Sequence, residues 1–229
     1  VGTGVTDAKG RLVSSGAGIP SFVGVLDKAV QWIVGQFGDT IQDGDLFITN
    51  DPNHGGVTHL NDVVIAKPVF FQGNCVAWTA SIGHWGDIGG KVPGSMATDV
   101  GEIFAEGLRL PAVRLFDAGR PIQAVFDIIQ TNSRLPDFVR GDLWAQIAAS
   151  KSAEKQIKLQ FEKYGCETVE AAISDAFATG RARALGGLGE LPNGRYEIEE
   201  EQDDGSFWRA AIAIMDDKFQ VDLRKNPTE

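Results

Sequence analysis

Hydrophobic positions change their period several times along the chain, and each change predicts an element. From Pro20 to about Phe37 the residues Phe22, Leu26, Ala29, Val30, Ile33, Val34 and Phe37 recur near helical spacing, and Gly38 supplies a stop, so a core-facing helix is expected there. Leu46 to Thr49 is a short apolar run, read as a strand that delivers Asn50-Asp51-Pro52 into a glycine-bearing loop. Asp62 to Phe71 and Cys75 to Ile82 are rich in Val, Ile, Phe, Ala and Trp and flank Gln72-Gly73-Asn74, a tight-turn signal; together they predict a β-hairpin. Ahead of these, Val1 to Val13 reads as a strand, a turn around Asp7 to Gly10 and a return strand, a start in mid-hairpin that points to a lost N-terminus. Gly86, Gly89, Gly90 and Gly94 disfavour regular structure after the hairpin, and Glu102 to Leu115 is read as a turn of helix followed by a strand.

From Pro121 the period becomes helical. Pro121 to Gln130, Leu135 to Tyr164 and Thr168 to about Leu188 are expected as helices, broken at Asn132-Ser133-Arg134, at Gly165 and at the Gly186-Gly187-Gly189 cluster. Gly194 to Leu223 then offers three short strands: Arg195 to Glu199, Phe207 to Met215 and Phe219 to Leu223. The expected fold is α+β: a mixed, largely antiparallel sheet with a metal-bearing hairpin, a helical arm and a C-terminal β-meander. The corresponding boundaries are 1–120, 121–190 and 191–229.

Composition narrows the function. With 43% hydrophobic residues in 229, a substantial core is available, and no run of eighteen apolar residues or charged-then-apolar leader is present. A folded cytoplasmic protein is expected. Lys and Arg number 21 against 31 Asp and Glu, a formal net charge of −10, and acidic residues crowd into Glu197 to Asp204. That balance argues against nucleic acid or an anionic membrane as partner, and the acidic run reads as a solvated face. Cys75 and Cys166 are too few and too far apart for a disulfide framework or a CxxC site.

The candidate chemistry lies between Asn50 and Met96. All three histidines, His54, His59 and His84, fall within about thirty residues, beside Asp51, Asp62 and Asp87. In an antiparallel hairpin, paired positions have a constant sum, so a turn centred on Gly73 sets Asp62 opposite His84. Opposed Cβ atoms lie about 4.5–5.5 Å apart. His59, three residues before Asp62 on the incoming loop, closes a candidate three-ligand set for a divalent metal. Two imidazoles and one carboxylate leave positions open for water or substrate, the pattern of catalytic sites. Asp87, three residues after His84, is a candidate further ligand, supporting partner or proton acceptor, and His54 in the Asn50 loop is the second candidate catalytic group. The alternative is that these histidines are hydrogen-bonded core residues. No GxxxxGK[ST] is present, Gly186-Gly187-Leu188-Gly189 follows a helix and opens none, and Ser95 sits in PGSM without a GxSxG elbow; a nucleotide site within the chain and a serine triad are both disfavoured.

Three blocks carry a resemblance: NDPNHGGVTHLNDVVIAKPVF from Asn50, SIGHWGDIGGKVPGSM from Ser81 and EIFAEGLRLPAVRL from Glu102. Together they resemble the hydantoinase B/oxoprolinase family, the B-type subunits of N-methylhydantoinase and caprolactamase, the C-terminal part of 5-oxoprolinase, and the metal-bearing subunits of acetone and acetophenone carboxylases. The resemblance implies a hetero-oligomer with a hydantoinase A-type subunit that uses ATP to phosphorylate a substrate oxygen. The B-type subunit then hydrolyses or carboxylates the small-molecule substrate at a metal, with zinc or manganese known and iron also considered. It implies that His59, Asp62 and His84 are the ligands. An ERxDxS block that carries another metal-proximal Asp in the family would precede Val1, and the sequence after Asp222 departs from the family's DFSGTSPQ-like continuation, so a fragment or split subunit is expected. Competing readings are a non-catalytic assembly subunit that keeps the fold and an iron oxygenase that consumes oxygen without ATP.

Overall fold

The computed structural model describes residues 1–16, 18–55, 57–94, 97 and 99–226. Gly56, Ser95 and Met96, all within the histidine-bearing stretch, lie outside the described residues. The described chain falls into two compact units, Val1–Glu170 and Ala171–Glu229.

The first unit is built on a seven-stranded sheet. Its strands are β1 (Gly2–Asp7), β2 (Leu12–Ser15), β3 (Leu46–Thr49), β4 (Asp62–Phe71), β5 (Asn74–His84), β6 (Val113–Asp117) and β7 (Arg120–Pro121), in the order β2-β1-β5-β4-β3-β6-β7. Each neighbouring pair is antiparallel. Helices cover both faces, and the alternation along β4 shows why. Val64 and Ala66, with Trp78 and Ile82 of β5, pack against Leu26, Ala29, Val30 and Ile33 of α2 (Leu26–Phe37). Val63 and Ile65 instead meet Ile129 of α3 (Gln123–Thr131) and Val139, Leu143 and Ile147 of α4 (Pro136–Tyr164). Successive side chains on a strand point to opposite faces, so a strand covered on both sides needs apolar residues at every position, and Asp62 to Val69 is buried throughout. Each fully buried Val, Leu or Ile contributes about 1.5–3 kcal/mol, which makes this central pair a firm base for what sits at its end.

The hairpin keeps the expected pairing through two offsetting departures. The turn is a two-residue one, with Gln72 and Gly73 both at positive φ (50° and 82°), and it pairs Phe71 with Asn74. Left alone, that turn would set Asp62 against Gly83. A bulge at Val76, between the Val69–Ala77 and Phe70–Cys75 pairs, restores the register and brings Asp62 opposite His84. Burial pushes the Cys75 thiol beside this bulge up to about 11, so it is not a nucleophile at neutral pH.

Other expectations are adjusted. The helix predicted from Pro20 to Phe37 is two, α1 (Pro20–Val23) and α2, because Gly24, a weak helix former, closes the first, donating its N–H to the Pro20 carbonyl. The turn of helix and strand expected over Glu102 to Leu115 are a 3₁₀ turn at Ile103–Glu106 and β6. Helix α5 (Cys166–Gly189) ends within the Gly186-Gly187-Gly189 cluster, next to the expected end at about Leu188, and buries none of its residues. The second unit holds the meander β8 (Gly194–Glu201), β9 (Phe207–Met215) and β10 (Lys218–Asp222), ordered β10-β9-β8, and every residue of the acidic β8 is exposed. Among the described residues no helix is long and apolar enough to cross a membrane.

Candidate metal centre

The open end of the β4–β5 hairpin brings three of the five sequence-predicted residues together. Asp62 and His84 are the last paired residues of the ladder, and His84 Nδ1 lies 2.9 Å from Asp62 Oδ1. His59 reaches the same carboxylate because the chain turns tightly just before β4, the Asp62 N–H donating to the His59 carbonyl at 2.9 Å. His59 Nε2 is then 3.3 Å from Asp62 Oδ2, and the two imidazole rings stand 5.0 Å apart, edge to face. Thr58 also donates its hydroxyl to Asp62 Oδ2. One ligand-capable atom from each of His59, Asp62 and His84 lies within 4.8 Å of the others.

This donor set fits a divalent ion. Asp62 is fully buried between two imidazoles with no Lys or Arg in contact, and His59 Nδ1 is buried without a hydrogen-bond partner among the described residues. A buried polar atom left unpaired costs about 1–3 kcal/mol, so such atoms in native structures call for an explanation. Two neutral nitrogens and one carboxylate are a donor set that zinc, manganese or iron accepts.

Asn50, the residue after β3, anchors the loop that carries His59. Its side-chain amide donates to the carbonyls of Leu60 (2.7 Å) and Leu108 (2.9 Å) and its Oδ1 accepts from the Leu110 N–H (2.7 Å). Leu60 lies between His59 and Asp62 in the chain, so the loop's path past these two side chains is held from β3.

His54 and Asp87 stand apart from the three. His54 Nδ1 is 3.2 Å from Asp51 Oδ2, its ring packs 5.0 Å from Trp32, and its side chain is 43% exposed. Arg109 donates to the same Asp51 oxygen at 2.8 Å and lies over the Phe104 ring. Burial opposes the charge on Asp51, but hydrogen bonds from Arg109, His54 and the Asn53 N–H and the Arg109 charge outweigh it and hold the carboxyl below its ordinary value. Asp87 is wholly buried and clasped: it accepts from the Arg134 N–H and guanidinium, the Ser133 hydroxyl and the Gly89 N–H, while Arg134 also reaches the Gly90 carbonyl. This ties the glycine-rich loop after His84 to the α3–α4 junction. Neither arginine was singled out from the sequence. Arg109 interrupts the apolar EGLRLPAV run, but Arg134 lies 47 residues from Asp87, and no local pattern joins them.

Burial raises the Asp87 pKa, and the Arg134 and Gly89 N–H groups, the Arg134 charge and the Ser133 hydroxyl lower it further, so the net value is below the ordinary 3.8. A carboxyl depressed on folding contributes stability in full above its unfolded pKa and loses it as pH falls through the folded value. Denaturant titrations should therefore show a stability nearly level from pH 7 to about 5 and falling steadily below about 4, and Asp87→Asn should flatten part of that acid limb.

The sequence profile of the hydantoinase B/oxoprolinase family matches residues 1–229. The caprolactamase β-subunit of Pseudomonas jessenii is 38% identical over 216 residues, covering 93% of this chain and 36% of that protein. The crystal structure of the ATP-dependent caprolactamase from that organism superimposes with a TM-score of 0.88 at 33% identity, over 96% of this chain and 39% of the other. The acetophenone carboxylase δ-subunit of Aromatoleum aromaticum is 28% identical over 84% of this chain and 28% of its own length. The chain thus spans about a third of the length of these relatives.

Proposed function

Because the chain belongs to the hydantoinase B/oxoprolinase family, we propose that it forms the metal-bearing part of an ATP-dependent hydrolase of cyclic amides (hydantoins, oxoproline or lactams) or of a related ketone carboxylase. It works in a cytoplasmic hetero-oligomer on a substrate oxygen phosphorylated by a hydantoinase A-type, ATP-using subunit. The observation that carries this reading is Asp62, buried and bracketed by His59 and His84 at the open end of a rigid hairpin.

In this proposal His59, Asp62 and His84 hold a zinc, manganese or iron ion. Bound there, such an ion supplies Lewis acidity toward a carbonyl or phosphoryl oxygen and lowers the pKa of nearby water. Thr58 orients Asp62, so the carboxylate presents both oxygens in fixed directions. Asp51 on Nδ1 of His54 leaves Nε2 of that exposed ring as a proton acceptor. Asp87 acts indirectly, by holding the loop after His84 against Arg134. The relationship to caprolactamase supports the hydrolase branch, and that to acetophenone carboxylase supports the other.

The test is ATP-dependent turnover by the assembled complex, with hydantoins, lactams, and ketones plus bicarbonate as separate substrates. One substrate class should be consumed with ATP, and His59→Ala and His84→Ala should each remove that turnover. Turnover intact in both variants would instead make the chain an assembly subunit, and oxygen uptake without ATP would make it an oxygenase.

A further inference from the structure

Asp62 and His84 occupy the place in a hairpin where strands most readily fray, the last pair of the ladder, yet a shared ion requires a fixed separation. Three buried carboxamides surround that pair. Beyond it, the Trp85 N–H donates to the Asn61 carbonyl at 2.8 Å, as a continued ladder would. The reciprocal backbone bond is missing because the chain has already turned toward His59. Asn61 Nδ2 replaces it, donating to the Trp85 carbonyl at 2.8 Å. The Asn61–Trp85 pair is thereby closed, and the next pair, Asp62–His84, falls at the non-hydrogen-bonded position, where Cα atoms approach to about 4.5 Å and side chains lie closest.

On the opposite face of the same strands, Gln146 of α4 lies across the hairpin. Its Oε1 accepts from the Trp85 indole N–H (2.8 Å), and its Nε2 donates to the carbonyls of Val63 (3.0 Å) and Ser81 (3.2 Å). It passes over Gly83, the partner of Val63 and the neighbour of His84; a Cβ at Gly83 would stand 3.0 Å from Gln146 Oε1. Both N–H groups of the amide are used and its oxygen is paired, so the contact is specific in direction as well as in shape.

We infer that Asn61 and Gln146 are positioning residues for the metal centre: Asn61 stands in for a backbone donor so that the chain can leave the sheet one residue before a ligand, and Gln146 clamps both ligand-bearing strands from behind. With Asn50 holding the Leu60 carbonyl, they form a carboxamide frame that sets the Asp62–His84 spacing without touching the ion. The inference rests on the reading of His59, Asp62 and His84 as ligands. Supporting partners of metal ligands commonly command about 10- to 100-fold in affinity.

The experiment is Co²⁺ titration of the metal-stripped intact protein, read by the dissociation constant and by the ligand-field bands in the visible spectrum. Asn61→Ala and Gln146→Met, which keeps volume and loses the hydrogen bonds, should each weaken Co²⁺ binding about 10- to 100-fold and shift the bands. Gly83→Ala, a milder push on Gln146, should do the same to a smaller degree and keeps the test open where Gln146→Met fails to fold. Unchanged affinity and bands in the folded variants, whatever their stability, overturn the inference. Wild-type and His84→Ala proteins run alongside: Co²⁺ bound by the wild type and lost in His84→Ala, with the frame variants binding as the wild type does, overturns the frame alone. No Co²⁺ bound by the wild type overturns the ligand reading and the frame with it.

Discussion

Replacing Asp62 by Asn should abolish both metal retention and ATP-dependent turnover while leaving the fold in place. The substitution is isosteric, and an amide oxygen can still accept from the Thr58 hydroxyl, so the turn His59–Asp62 and the ladder need not move. What changes is charge. The wild-type carboxylate is the only anionic donor in the three-residue set, and its loss leaves two neutral imidazoles. The drop in affinity should exceed the roughly 10- to 100-fold that supporting partners command. A thermodynamic readout separates this from misfolding. An ion present at a hundred times its Kd stabilises a protein by about 2.7 kcal/mol, so wild-type protein should gain that amount on metal addition and Asp62→Asn should gain none. Equal stabilisation of the two would remove Asp62 from the site.

Asp87→Ala should cost about 3 kcal/mol of stability, measured by denaturant unfolding, the low end of the range for breaking a buried ion pair. The low end applies because Arg134 is half exposed and can rehydrate, while the loss is still large because four donors converge on a carboxylate with no exposure of its own. Asp87→Asn keeps one acceptor oxygen, enough for the donors on one side of the carboxylate and not for both the Gly89 N–H on Oδ1 and the Arg134 N–H on Oδ2, and should fall between. The Asn variant also decides Asp87's role. A residue that holds the loop leaves turnover per folded molecule close to wild type when replaced by Asn; a residue that transfers a proton loses turnover with little loss of stability.

Much of this arrangement was legible because it depends on period and spacing. The apolar runs of β4 and β5, the turn signal between them and the constant sum of paired positions in a hairpin placed Asp62 opposite His84. That result survived because the Val76 bulge offsets a turn one residue shorter than the reading assumed, a cancellation with no signal in the local pattern. The helices α3 and α4 followed from 3.6-residue periodicity, since each has a face to bury. The break after α1 was missed because Phe22 and Leu26 continue the apolar stripe across Gly24.

The polar scaffolding was the least visible part. Asp87 and Arg134 are 47 residues apart, Asn50 and Leu110 are 60, and Gln146 and Val63 are 83. Such pairs are joined by the packing of α4 and the loops on the sheet, and no periodicity announces them. His54 shows the limit from another side. Its neighbourhood in sequence put it beside His59 and Asp62, but its ring meets Asp51 and Trp32 and not the carboxylate of Asp62.

Anomalous diffraction at the metal's absorption edge, from crystals of the intact protein loaded with one equivalent of zinc or manganese, tests the central assignment most directly. The expected result is a single anomalous peak bounded by His59, Asp62 and His84. A peak at another group of residues, or none in protein that retains its full equivalent of metal, would contradict it.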